Sequence, residues 1–318
     1  MTTLAPHPSA ALAEAESLER LYGLLAPLHI GAGWAKPTAS LWPEPRREFA
    51  PAQWRYAEAK AALDAAGRLI NTELAERRNL VLINPAKGNG YATTKTLVAA
   101  YQMIMPGETA RTHRHTPNAL RLILDAAPGS FTIVDGVKLA MEPGDIVLTP
   151  NWSWHGHGND GATNAYWLDF LDVPLVQLLE PMFFEPYPGA YQEAVAAPET
   201  SPMRFGWEET RRRLTAAPSG TEITLGDPAL DTMALSMIGL RAGDATPARR
   251  TTDNNLYAVV TGSGTTTADG VRFTWRRGDV IAAPAWQPHA HAAVEDAVLF
   301  RVSDEPVMSR LGFLRAPD

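Results

Sequence analysis

Apolar positions near the amino terminus repeat with helical spacing. In residues 10 to 25 they recur three or four residues apart, at Leu18, Leu21, Tyr22 and Leu25. This spacing predicts a helix packed by one apolar stripe. A second helix is predicted over residues 51 to 75, because Pro51 suits the first helical position and an alanine-rich run follows it.

From residue 79 the pattern changes to short apolar or β-branched runs separated by Gly, Pro, Asn and Asp. The first set of runs comprises NLVLINP, TLVAAYQMIMP, LRLIL, SFTIVDG, DIVLTP and AYWLDFLDV. After a helical connection near residues 208 to 215, a second set comprises TEITL, ALSMIGL, NLYAVVTGSG, VRFTW, DVIAAP and AVLFRVSD. Strands about every 8 to 12 residues with turn residues between them predict all-β sandwiches or barrels.

The two sets also match each other in detail. Residues 131 to 155 (FTIVDGVKLAMEPGDIVLTPNWSWH) and 265 to 289 (TTTADGVRFTWRRGDVIAAPAWQPH) share an Asp-Gly turn, a Gly-Asp step and a Pro-x-Trp turn before a histidine. An internal duplication explains this match. We therefore predict an N-terminal helical segment and linker in residues 1–78, one β-barrel in residues 79–205, and a second barrel with the connecting helix in residues 206–318.

The composition limits the available chemistry. The 318 residues carry a net charge of −7 and contain no cysteine, so any metal must be bound by His, Asp or Glu. No block of like charge indicates a nucleic-acid partner or a membrane surface, and no stretch approaches the roughly 18 apolar residues of a membrane span. Acidic residues at the amino terminus do not suit a secretory signal. We expect a soluble, cytoplasmic protein.

Three histidines form the strongest candidate site. His113 and His115 are two residues apart in a predicted strand, so their side chains point to the same face. Such a pair alone is more often a surface feature or a core hydrogen-bonding pair. His155, which follows another predicted strand, is the best candidate for a third ligand. Three imidazoles converging from two strands leave open positions, as a catalytic metal requires.

The residues around these histidines resemble the two cupin motifs. The first match is PGETARTHRH, and the second is DGVKLAMEPGDIVLTPNWSWHGHGN. The glutamate that cupins carry four or five places after His115 is missing, since Ala119 and Leu120 stand there. Together with ERRNLVLINP, HRHTPNALR and YWLDFLDVP, the stretch from about Leu41 to Phe313 resembles the gentisate 1,2-dioxygenase family, which includes salicylate and 1-hydroxy-2-naphthoate dioxygenases.

The resemblance implies a bicupin, with two jelly-roll β-barrels, and Fe(II) bound by His113, His115 and His155. It also implies cleavage of the C1–C2 bond of a 2-hydroxybenzoate by O2, and a homotetramer. Three imidazoles leave about three octahedral positions on iron, enough for a bidentate aromatic hydroxy acid and dioxygen. The second half has PARRTTDNN where the first has HRH, and only His289 and His291 remain. We therefore expect the second barrel to be structural and free of metal.

Cations are needed to bind a substrate carboxylate. Arg121 has the same strand parity as His113 and His115, provided Pro117 does not reverse the faces, so its guanidinium can reach a carboxylate. The alternative is a surface charge at a strand edge. By family resemblance Arg77 is the second choice, although its neighbour Arg78 could equally face the pocket.

Three further residues complete the candidate list. His157 resembles a family histidine that hydrogen-bonds a substrate oxygen or transfers a proton, but it could also only cap a turn. Gln102 precedes the His113 turn on a predicted strand and is a weaker pocket candidate, and Asp169 is a candidate for orienting a ligand imidazole.

The sequence leaves more than one substrate and more than one reaction open. Many gentisate-type enzymes have Trp and Gly where this chain has Val98 and Ala100, and Gly where it has Phe170, which changes the expected pocket wall. Gentisate, salicylate and 5-substituted salicylates all stay candidates. Because imidazoles do not select iron and a fold does not fix a reaction, a metal-dependent isomerase or hydrolase and a small-acid-binding bicupin also stay open.

Overall fold

The chain divides by its internal contacts into two units, Met1–Arg46 and Arg47–Asp318. The computed structural model describes residues 8–36, 39–71, 77–226 and 229–317. The first unit contains helices α1 (Pro8–Ala13) and α2 (Leu18–Leu25), followed by single 3-10 turns at Ala26–Leu28 and Gly33–Ala35. No helix among the described residues is both long enough and apolar enough to span a bilayer.

The helix predicted over residues 10 to 25 is two helices. Ser17 is extended, with φ −144° and ψ 154°, and its hydroxyl accepts a hydrogen bond from the Arg20 amide at 3.2 Å, which caps α2. Leu21, Tyr22 and Leu25 of the predicted stripe are half-buried, whereas Leu18 is 59% exposed, and no side chain of α2 is fully buried.

The second predicted helix begins later than the pattern indicated. Residues Ala52–Trp54 form strand β1, which pairs with β18 (Val280–Ala283), so helix α3 extends over Tyr56–Leu69. Pairing with a distant strand outweighs the local preference of Pro51 for a helix start. Residues 72–76 of the predicted helix lie outside the described residues.

The first barrel consists of two facing sheets. The six-stranded sheet has the order β12-β8-β5-β10-β3-β2 and the five-stranded sheet the order β11-β4-β9-β6-β7. Their strands are β2 (Arg78–Val81), β3 (Val98–Ile104), β4 (Thr109–His115), β5 (Ala119–Asp125), β6 (Ser130–Val134), β7 (Val137–Ala140), β8 (Ile146–Thr149), β9 (His155–Asn159), β10 (Ala165–Leu171), β11 (Phe184–Pro186) and β12 (Arg204–Phe205). Helix α4 (Val173–Leu179) follows β10.

The second barrel repeats this plan after helix α5 (Trp207–Ala216), which confirms the predicted connection. Its sheets have the orders β1-β18-β15-β20-β14-β13 and β17-β16-β19. The strands not yet given are β13 (Glu222–Thr224), β14 (Ala234–Leu240), β15 (Asn255–Thr261), β16 (Ser263–Ala268), β17 (Val271–Arg276), β19 (His289–Ala293) and β20 (Ala297–Ser303), and helix α6 is Glu305–Arg310. The predicted all-β fold with two barrels is confirmed.

The internal duplication extends to individual backbone angles. Asp135 and Asp269, in the two Asp-Gly turns, have φ 45° and 46°. Both turns join hairpin strands, where a positive φ matches the strand twist. Trp152 and Trp286, in the two Pro-x-Trp turns, both have φ 61°. The repeated sequence therefore encodes the same local geometry twice.

The main hydrophobic core includes side chains of both barrels. Phe170 on β10 packs against Phe300 on β20, with ring centroids 5.8 Å apart, and both are fully buried. Because side chains alternate along a strand, Trp167 and Asp169 on β10 face the interior of the first barrel instead. The expectation that Phe170 lines the pocket wall was therefore wrong.

Candidate metal centre

Two adjacent strands bring the three predicted metal ligands together. His113 on β4 lies directly opposite His155 on β9 in the antiparallel register, and His115 ends β4 on the same face as His113. The ring centroids are separated by 4.6 Å for His113–His155, 4.8 Å for His115–His155 and 5.6 Å for His113–His115. One ligand nitrogen from each ring lies within 4.8 Å of the other two.

A backbone carbonyl fixes each of the three rings. The Nδ1 atoms of His113, His115 and His155 lie 3.2, 2.8 and 2.9 Å from the carbonyl oxygens of Arg111, Pro117 and Ser153. Because a carbonyl only accepts, Nδ1 carries the proton in each ring and Nε2 keeps its lone pair. This second hydrogen bond is the arrangement that orients metal-ligating histidines. The donor set therefore fits a divalent metal with a preference for nitrogen ligands.

The surroundings keep these rings neutral. Burial is the largest cause that lowers the pKa of all three, and it brings that of His113 to about 3. The positive charge of Arg77 is the next largest contribution to this low pKa of His113. Neutral imidazoles are the form that binds metal. Among the described residues, His113, His115 and His155 are the group of side chains that lie close enough together to bind one metal ion.

Arg121 lies beside the triad in a chain of polar contacts. It is 1% exposed, and its Nη1 donates to His157 Nδ1 at 2.6 Å and to Thr132 Oγ1 at 2.7 Å. Its Nε lies 3.4 Å from Asp169 Oδ1. Since the guanidinium only donates, His157 Nδ1 must accept, and the His157 proton is on Nε2. That buried Nε2 has no hydrogen-bond partner among the described residues.

The chain of contacts continues to Arg77. Gln102 Nε2 donates to Asp169 Oδ2 at 2.5 Å, and Gln102 Oε1 accepts from Arg77 Nε at 2.5 Å. Arg78 points to the opposite face, where it pairs with Glu108 and donates to the Ile70 carbonyl at 2.7 Å. All five non-ligand candidates thus lie in one network next to the triad. Asp169 contacts Arg121 and Gln102, and no contact of it with a triad ring is found among the described residues.

Three contributors were missed by the sequence analysis. Thr132 on β6 lies opposite His157 in the register, and Trp167 lies with its ring centroid 5.7 Å from that of His157. Strand parity in the Asp-Gly hairpin and on β10 could have identified both. Phe184, whose ring centroid is 5.2 Å from that of His113, comes from β11. Its segment carries no strand pattern that would have predicted its position.

Comparisons with known proteins agree with this geometry. The sequence profile of the cupin domain matches the chain twice, at residues 100–171 and 236–302. The chain is 35% identical to a 5-aminosalicylate 1,2-dioxygenase of a Comamonas species, over 94% of this chain and 89% of that protein. It is also 35% identical to the gentisate 1,2 dioxygenase 1 of Aquipseudomonas alcaligenes, over 92% of each. The chain belongs to the gentisate 1,2-dioxygenase family.

Solved structures of the family have the same fold as this chain. The crystal structure of a salicylate 1,2-dioxygenase from Pseudaminobacter salicylatoxidans matches it with a TM-score of 0.85 and 28% identity, over 95% of this chain and 97% of that chain. A variant of that enzyme in complex with gentisate matches with a TM-score of 0.84 and 27% identity, over 100% and 98% of the two chains. The predicted bicupin architecture and family membership are confirmed.

Proposed function

We propose that this bicupin is an Fe(II)-dependent ring-cleaving dioxygenase that opens the C1–C2 bond of a 2-hydroxybenzoate with O2. The observation that carries the proposal is the convergence of three neutral imidazoles, each with Nδ1 bonded to a backbone carbonyl, beside a buried Arg121–His157 pair. Membership of a family of 1,2-dioxygenases supports this reaction over isomerisation, hydrolysis or simple binding.

His113, His115 and His155 would bind the iron through Nε2. Bound Fe(II) would supply coordination positions for the substrate carboxylate and adjacent hydroxyl oxygen, and electrons for dioxygen. The protein's contribution is to fix the three rings on paired strands and to surround them with buried side chains. A site fixed on strands keeps its geometry better than one on loops.

His157 and Arg121 act as a unit in this proposal. Arg121 donates to His157 Nδ1, which leaves the His157 Nε2–H as a buried donor on the same strand face as His155. A substrate oxygen or developing negative charge at the centre would satisfy this donor. The Arg121 charge would also stabilise that anion, while Asp169 and Thr132 fix the guanidinium.

Arg77 is the proposed cation for the approaching carboxylate. It is only partly buried, its charge acts on His113, His115 and His157, and Gln102 orients it. Its neighbour Arg78 is engaged by Glu108 on the other face of β2. Gln102 and Asp169 therefore act as positioning residues that connect Arg77 with Arg121.

We assign the substrate class to 2-hydroxybenzoates, including gentisate, salicylate and 5-substituted salicylates. Val98 and Ala100 lie on the same face of β3 as Gln102, so they border the site with small side chains. The relatives include enzymes named for gentisate and for 5-aminosalicylate, which differ at the 5-position.

We also propose that the protein is a homo-oligomer, namely the tetramer that the family resemblance implies. A cytoplasmic location is part of the same proposal. Support for association comes from exposed apolar side chains in the last turn of helix α4 and in the segment that follows it, at Leu178, Leu179, Met182, Phe183 and Phe184. Light scattering coupled to size-exclusion chromatography measures the mass of the assembly, and a monomer would contradict this part.

Metal analysis combined with oxygen uptake tests the function. We expect about one iron per chain and O2 consumption on adding gentisate or salicylate, with benzoate as the control that lacks the 2-hydroxyl group. Product formation should match oxygen consumed one to one. Zinc or manganese at full occupancy, with turnover but no oxygen uptake, would favour the isomerase or hydrolase. Binding of a hydroxybenzoate without any turnover would favour the small-acid-binding module.

A further inference from the structure

The second barrel contains a cavity of about 520 Å³ in the region that corresponds to the metal centre. Its lining includes His289, His291, Tyr257 and Arg249, together with apolar side chains such as Ile238 and Pro247. This volume lies within the range of small-molecule sites, which are mostly apolar with a few placed polar groups.

The strand pairing shows which residues replace the metal ligands. Arg249 pairs with His289 as His113 pairs with His155. The Thr251 carbonyl accepts from the Trp286 amide at 2.6 Å, as the His115 carbonyl accepts from the Trp152 amide at 2.9 Å. Arg249 and Thr251 therefore occupy the positions of His113 and His115.

The histidine that corresponds to His155 has both ring nitrogens engaged. His289 Nδ1 donates to the Gln287 carbonyl at 3.1 Å, so Nε2 accepts from the Tyr257 hydroxyl at 2.8 Å. The lone pair that a metal would need is used. This cavity therefore has a different chemistry from the centre in the first barrel.

His291 presents an unsatisfied polar atom at this cavity. It is 3% exposed, and its Nε2 is buried with no hydrogen-bond partner among the residues the structure describes. Its Nδ1 lies 2.7 Å from Thr266 Oγ1, which already accepts from Trp275 Nε1 at 2.9 Å. When the Thr266 hydroxyl accepts from Trp275 and donates to His291 Nδ1, these three atoms are paired and the His291 proton is on Nε2, which has no acceptor among the described residues.

The charges at the cavity favour an anion. Arg249 and Arg250 line it, and among the lining residues that the structure describes one carboxylate opposes them, that of Glu222, which lies 3.0 Å from Arg249 Nη1. Burial lowers the pKa of His289 to about 4 and that of His291 to about 3, so both rings are neutral near pH 7. The buried His291 Nε2–H near these two guanidinium groups lacks a hydrogen-bond acceptor, and leaving a buried donor unpaired is unfavourable.

We propose that the cavity of the second barrel binds a small organic monocarboxylate, with the carboxylate accepting from His291 Nε2–H and Arg249 and the apolar body against Ile238 and Pro247. An inorganic oxyanion would leave these apolar walls without contacts. The site is distinct from the metal centre, and it does not depend on the reaction proposed there.

Crystals of the holoenzyme soaked with 4-bromobenzoate give a direct test. We expect an anomalous bromine peak in the second-barrel cavity, with the carboxylate within hydrogen-bond distance of His291 Nε2. In solution, titration calorimetry with benzoate should detect the same site, and benzylamine, of similar shape and opposite charge, should not bind there. A cavity free of bromine, or equal binding of benzylamine, would overturn the proposal.

Two variants of His291 separate the proposed contact from general packing. His291→Leu should weaken benzoate binding at this site by about tenfold or more, because a hydrogen bond to a charged group is lost. His291→Gln keeps an N–H donor and should bind within a few-fold of wild type. Salicylate turnover should be unchanged in both. Unaltered benzoate affinity in His291→Leu would refute the assignment; should that variant not fold, His291→Gln and the soaked crystals still decide.

Discussion

The Arg121 guanidinium and the His157 imidazole form one buried unit, with Nη1 donating to Nδ1 at 2.6 Å. Burial lowers the pKa of Arg121 to about 10, so the side chain still carries its charge near neutral pH. The cation also lowers the pKa of His157, after burial itself, which keeps that ring neutral. A permanent donor on Nδ1 therefore fixes which nitrogen of His157 faces the centre.

Replacing Arg121 should reduce catalysis more than metal binding. In Arg121→Gln we expect kcat to fall by about 100-fold, comparable to the loss of one transition-state donor, while iron content stays near wild type. Arg121→Lys retains the charge but not the bidentate donor geometry of the guanidinium, so its kcat should lie between those of Arg121→Gln and wild type. Steady-state oxygen uptake and metal analysis measure both.

The exposed Arg111 on β4 offers a matched control for this experiment. Arg111→Gln removes an equal charge close to the triad and should leave kcat within about twofold of wild type, as surface changes usually do. An equal loss of kcat in Arg111→Gln and Arg121→Gln would mean that Arg121 acts only through its contribution to the general electrostatic field.

The two barrels supply a matched pair of histidine variants. His155→Ala removes one of the three proposed ligands and should lose iron and activity together, since two imidazoles alone bind iron weakly. His289→Ala changes the corresponding residue of the second barrel, whose Nε2 is bonded to Tyr257, and should keep both. Iron per chain by plasma mass spectrometry, with oxygen uptake, measures the result. Full iron occupancy in His155→Ala would place the metal elsewhere.

Local pattern was sufficient for much of the site. The His-x-His spacing predicted two candidate ligands on one strand face, and strand parity placed Arg121 on the same side. The repeated Asp-Gly and Pro-x-Trp turns gave the two barrels, because each turn demands particular backbone angles that few residues adopt. These features are encoded within a few residues of one another, so sequence alone can reveal them.

Long-range pairing was not visible in the sequence. Strand β1 joins the second barrel across more than two hundred residues, and β11 carries Phe184 to His113 without any alternation. The sequence also left open whether Arg77 or Arg78 faces the site, because a shift of one residue reverses the faces of a strand. The family resemblance implied that Phe170 lies at the pocket wall, but side chains alternate along β10, so Phe170 faces away from the side that carries Asp169.

The placement of Phe170 makes a prediction about stability and selectivity. Phe170→Ala should lower the free energy of unfolding by about 3–5 kcal/mol, because the ring fills the core between the barrels beside Phe300. The ratio of kcat/KM for gentisate to that for salicylate should not change. Denaturant unfolding and a two-substrate assay measure these effects.

Ala100 is the contrasting position, since it lies on the site face of β3. Ala100→Val adds volume there and should lower kcat/KM for gentisate more than for salicylate, with a stability loss of about 1–3 kcal/mol at most. A shift in the substrate ratio from Phe170→Ala, and none from Ala100→Val, would reverse the assignment of the two faces.

Asp304 makes the stability depend on pH in a defined direction. This carboxyl is fully buried at the end of β20, and burial raises its pKa to about 6, despite hydrogen bonds from Asn254 and Thr96. A carboxyl whose folded pKa exceeds its unfolded value stabilises the fold below about pH 4 and loses that stabilisation as the pH rises through 6. Relative to Asp304→Asn, wild type should therefore lose about 2 kcal/mol of unfolding free energy between pH 4 and pH 7. Urea unfolding of both proteins at half-unit pH intervals measures the difference, and a wild type that gains stability over Asp304→Asn across this range would show that the hydrogen bonds, not burial, control the carboxyl.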